Sequence, residues 1–82
     1  MTKWKNEQRG GLITASNIRL GKFKLSVHQY IGHGRTLFAS CYGLFEMKEL
    51  DSCDFEAAQY QALSMLKKEL EDSLQALADV TI

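Results

Sequence analysis

The chain of 82 residues holds ten basic and ten acidic side chains, two cysteines and no proline. That length supports one hydrophobic core, and two cysteines do not make a disulfide scaffold. No stretch reaches the ~18 consecutive apolar residues of a membrane span, and the first residues lack the apolar run of a secretory signal, so the expectation is a cytoplasmic protein with reduced thiols.

The zero net charge conceals an asymmetry. Residues 1–45 carry seven basic side chains against Glu7, a net of +6, whereas residues 46–82 carry three against nine acids, a net of −6. Such a split suits a basic sheet backed by an acidic helix. The two surfaces can attract a partner copy, or the basic one can face nucleic acid.

Residues 1–11 are polar, end in Gly10-Gly11 and read as a flexible lead-in to a single domain over residues 12–82. Trp4 is the apolar exception and is expected to pack on an exposed edge of the core. Residues 12–20 alternate loosely, with Leu12, Ile18 and Leu20 on one side and Ile13, Ala15 and Arg19 on the other. Ser16-Asn17 interrupts the pattern, which predicts a weak or bent strand.

The clearest strand is residues 22–31. Phe23, Leu25, Val27 and Ile31 share one face, and Lys22, Lys24, Ser26, His28 and Tyr30 the other, as expected for an antiparallel sheet with one face in water. Gly32-His33-Gly34 supplies a short turn into a returning strand at residues 36–42. The small residues of its Leu37, Ala39 and Cys41 side suit the close approach of a helix. Residues 44–50 are either a further strand or a connector crossing the sheet. Ser52 or Asp54 then caps a long helix.

That helix, about residues 54–79, is the strongest element. Phe55, Ala58, Ala62, Leu66, Leu70, Leu74 and Leu77 recur at spacings of three and four and make one apolar face. The predicted fold is therefore α+β: an antiparallel sheet of two to four strands, with its hairpin at about residues 22–42, packed against one C-terminal helix. A helix of this length, at ~1.5 Å per residue, outruns a strand of seven or eight residues at ~3.3 Å per residue. Leu70, Leu74, Leu77 and Val80 should thus overhang the sheet and form a homodimer interface.

Motifs of catalytic quality do not occur, and neither a catalytic residue nor a cofactor is predicted. His28 and His33 stand five apart across a turn, and Cys41 and Cys53 twelve apart, which is not the spacing of paired zinc ligands. Lys22, Lys24, His28, Tyr30 and Arg35 could form a nucleic-acid face by interleaving cations with aromatic rings, although the same array serves as an ordinary solvated sheet surface.

A strand, a Gly-rich turn, a second strand, the Tyr42-Gly43-Leu44-Phe45 corner and Asp51-Ser52 leading into Asp54-Phe55-Glu56-Ala57-Ala58 together resemble the HicB-like antitoxin fold. The likeness covers about residues 23–70, without that family's Pro-Asp-rich corner or its appended DNA-binding domain. It implies a β-β-β-α core and a non-enzymatic, protein-binding or regulatory module. Small proline-free proteins of this kind are common in phages and prophages, which extends the expectation to a phage-encoded regulator.

Overall fold

The computed structural model describes residues 3–30 and 32–80. Five strands, β1 (Lys5–Arg9), β2 (Leu12–Leu20), β3 (Phe23–Gln29), β4 (Leu37–Cys41) and β5 (Phe45–Glu49), precede one helix, α1 (Phe55–Ala78). The strands form an open antiparallel meander in sequence order, and α1 lies across its central strands β3 and β4. The fold is α+β as expected, with five strands where two to four are predicted.

The additional strand comes from the segment read as a lead-in. Gly10 and Gly11 both take positive φ, 58° and 81°, which is the backbone a two-residue type I′ hairpin loop requires. They fold β1 back onto β2, pairing Lys5 with Asn17 and Arg9 with Leu12. Every residue of β1 is exposed, so the strand has no apolar face for periodicity to reveal.

Between the pairs Glu7–Ala15 and Gln8–Ile13, β2 carries one extra residue, Thr14. This bulge reverses the alternation beyond it. Ile13 is therefore brought to the helix side, half-buried in a recess with Trp4, Phe55 and Leu63. Leu12, grouped on one side with Ile18 and Leu20 by the alternation, does not share the burial of Ile18 and is 73% exposed. Trp4 packs against the rim of the core.

In the central hairpin Leu25 pairs with Cys41, Val27 with Ala39 and Gln29 with Leu37. Leu25, Val27, Leu37, Ala39 and Cys41 are fully buried and form the sheet side of the core, the face assigned from volume. The strand predicted over residues 22–31 is shorter, Phe23–Gln29, and the loop to β4 is longer than a tight turn, braced by His33 N–H to Tyr30 O at 3.1 Å and Thr36 N–H to His33 O at 3.2 Å. Ile31, expected on the core face, lies outside the described residues.

The helix answers with Ala58, Ala62 and Leu66, one row at i, i+4 and i+8, which are its buried residues. Asp54 is its cap, accepting from Ala57 N–H at 3.1 Å, and Ser52 Oγ accepts from Asp54 N–H at 3.0 Å. Both cap candidates are thus used, one on the helix and one on the capping residue itself. Gln61 grips the connector from within the helix. Its Oε1 accepts from Asp51 N–H at 2.9 Å, and its Nε2–H donates to the Asp51 carboxylate at 3.3 Å.

Leu25→Ala removes a side chain from the middle of this seam. It should cost about 2–5 kcal/mol, read as a lowered urea midpoint at unchanged slope, whereas Leu12→Ala should stay within about 0.5 kcal/mol.

Candidate functional site

Two surfaces remain after the core is assembled: the second half of α1 and the outer face of the sheet. Leu66 is the last fully covered residue of the helix. Beyond it Leu70 is 37% exposed, Leu74 67%, Leu77 70% and Val80 61%. A groove of about 450 Å³ runs along the start of this stripe, walled by Leu20, Leu63, Leu66, Leu70 and Leu74 and rimmed by Lys67 and Glu71. The overhang is reflected in the 55 Å long axis of the molecule. Its local supports are the exposed i,i+4 pairs Lys67–Glu71 and Lys68–Asp72 at 3.9 and 3.7 Å, each a small term in water. At the C-terminal end Asp79 N–H donates to Gln75 O.

The outer face of the sheet divides into two regions. Near the β3–β4 loop the rings of His28, Tyr30, His33 and Phe38 gather, with centroids 5.2–6.4 Å apart. Phe38 points away from the helix yet is only 6% exposed, because this cluster covers it. His28 is held at both nitrogens. Nδ1–H donates to Gln29 O at 3.1 Å, which in the neutral ring leaves Nε2 to accept from Ser40 Oγ–H at 2.9 Å. Ser40 Oγ in turn accepts from Met47 N–H at 3.0 Å. Met47 has a left-handed backbone, φ 52°, at an irregularity where β5 leaves register with β4.

The second region is basic. Arg19 of β2 stands directly across from Lys24 of β3, and Lys5 of β1 across from Asn17. Lys3, Lys5, Asn17, Arg19 and Lys24 line a common recess of about 320 Å³. Among the described residues the ion pairs are the two on α1, so these cations have no acidic partner within 4 Å there.

Of the five residues predicted for a nucleic-acid face, His28 and Tyr30 join the aromatic cluster and Lys24 the basic recess. Lys22 lies in the β2–β3 turn and Arg35 in the β3–β4 loop, both exposed and off the strand face. Lys5 and Arg19 are missing from that prediction. The Gly10-Gly11 pair was the available signal, since a hairpin there carries Lys5 onto the face that Arg19 shares with Lys24.

Inside the protein, Ser16 is fully buried on β2. Its Oγ–H donates to Asn6 Oδ1 at 2.6 Å, and its Oγ accepts from Gln59 Nε2–H at 2.7 Å. This chain ties β1, β2 and α1 together and satisfies the buried hydroxyl. Cys41 is buried and Cys53 exposed, and both are free thiols. Burial pushes the Cys41 thiol above its ordinary range, with a hydrogen bond from the Lys24 backbone partly offsetting the rise. Among the described residues no three His, Cys, Asp or Glu side chains converge as a metal site would need. No helix among them is long and apolar enough to cross a membrane.

Compared with known proteins, the chain matches no family model, no curated protein and no solved structure.

Thiol titration separates the two cysteines. In the native protein one equivalent, Cys53, should react readily with a disulfide reagent at neutral pH, and the second should react only on unfolding. Rapid reaction of both would mean that the β3–β4 seam opens easily.

Proposed function

We propose that this chain is a non-catalytic, cytoplasmic protein-interaction module that acts as a homodimer through the second half of α1. The observation that carries the reading is the stripe Leu70, Leu74, Leu77 and Val80, three of whose members are more than 60% exposed beside an apolar groove. Fully burying one such leucine is worth about 1.5–3 kcal/mol, so a surface bearing several of them favours association.

A second copy is the occupant that fits. The overhang from residue 67 to residue 80 is ~20 Å long at ~1.5 Å per residue, and the groove it would need is present on the same chain. A two-fold axis near Ser73 lays the two helices antiparallel. Val80 of each copy then falls level with Leu66 of the other and Leu77 with Leu70, while the two Leu74 side chains meet beside the axis. Such a contact is isologous and closes at two subunits. It sets Lys67 level with Asp79 of the second copy and opposes the two helix dipoles. The resemblance to HicB-like antitoxins points in the same direction, toward a regulator that binds a protein partner, phage-encoded or otherwise, and needs no catalytic residue or cofactor.

The test is the state of association. Sedimentation equilibrium at tens of micromolar should give twice the 9.3 kDa chain mass. The L74E/L77E variant should sediment as the monomer with its helix signal retained. A wild-type monomer at that concentration would refute the dimer, as would loss of fold in the variant without dissociation.

A further inference from the structure

The basic recess on the outer face contains an arrangement that folding alone disfavours. Arg19 and Lys24 are direct cross-strand neighbours, and like charges placed opposite each other destabilise a sheet. No acid lies within 4 Å of either among the described residues, and Lys5 of the neighbouring strand β1 and Lys3 just ahead of it line the same recess. Asn17, also in its wall, receives Ser26 Oγ–H on its Oδ1. The Nδ2 donors of that amide are thereby left for another acceptor. Four cations and an amide donor around one recess match the oxygens of phosphate groups.

Lys24 belongs to two recesses. The second, about 350 Å³, continues across β4 and is lined by Ser26, Ser40, Tyr42, Glu46 and Met47. Tyr42 is 90% exposed, a large aromatic ring that nothing in the fold covers. A cationic recess opening onto a bare tyrosine combines the two features that hold a single strand: charge for the backbone, and a ring on which a base stacks. Glu46 lines this second recess together with Lys24 and Tyr42, where its carboxylate can accept from base amino groups.

We infer that the outer face of the sheet binds single-stranded nucleic acid, with phosphates at Lys3, Lys5, Arg19 and Lys24 and a base on Tyr42. The ligand crosses from β1 to β4, about 14 Å at ~4.8 Å per strand, so the contact spans few nucleotides. The site lies on the opposite face of the sheet from α1, so the dimer and the strand can be held at once.

Fluorescence anisotropy of the full chain with labelled 15-nucleotide oligo(dT) and oligo(U) tests this. Three or four phosphate contacts predict that affinity falls roughly 20- to 50-fold between 50 and 200 mM salt, from a single-strand slope of about −0.7 per contact. The R19Q/K24Q variant should lose at least tenfold in affinity while its melting temperature holds or rises, because the like-charge pair is gone. Tyr42→Ala should lose several-fold with an unchanged salt slope. K68E, altered on α1 away from both the sheet face and the apolar groove, changes the net charge as much as R19Q/K24Q does and should bind as the wild type does. Absence of binding at 50 mM salt would overturn the proposal. So would equal loss in K68E, which marks charge without a site, or equal competition by poly-glutamate, which marks a polyanion surface that reads no bases.

Discussion

The fold depends on a close fit between small residues. Ala58 and Ala62, one turn apart on α1, are buried with Ala39, Val27 and Cys41 on the sheet. Small side chains at the centre let the helix backbone approach the strands, and Leu25, Leu37 and Leu66 fill the volume around them. Everything at the edge of the core is positioned by that approach. Trp4, Ile13 and Phe55 close one end, the paired Leu20 and Phe23 the other, and Leu63 borders both. A small domain gains little from area alone, so the quality of this one seam weighs heavily in its stability.

Polar groups fix the register that apolar packing leaves loose. A helix lying on a sheet by hydrophobic contact could slide, since burial is not directional. Gln59 prevents this by bonding the buried Ser16 hydroxyl, which also holds Asn6. Gln61 does the same at the connector through Asp51. Cys41, buried across from Leu25 on the sheet side of the core, is a packing residue, and that burial pushes its thiol above the ordinary range.

The charge asymmetry becomes spatial in the folded molecule. Cations gather on the outer face of β1 to β3, while the acids of the second half sit on α1, its connector and β5. Two surfaces of different chemistry therefore lie on opposite sides of one thin layer: an apolar helix stripe, and a cationic sheet with exposed rings. The edge strands are dominated by polar and charged residues, which discourages the sheet from extending by pairing with another copy.

The long helix, its Asp54 cap, the β3–β4 hairpin and the face of that hairpin turned to the core were legible in the sequence, because each is a local pattern: a period of 3.6, a period of 2 and a capping residue at the right offset. The overhang of Leu70 to Val80 was legible too, since it follows from the rise per residue of two kinds of element. Tertiary structure decided the rest. β1 carries no apolar residue, so its place in the sheet depends on the Gly10-Gly11 hairpin and on the partner strand. The phase of Ile13 depends on the Thr14 bulge, which is defined only by pairing. The convergence of Lys5, Arg19 and Lys24 is a cross-strand relation among residues distant in sequence, and no spacing along one strand could express it.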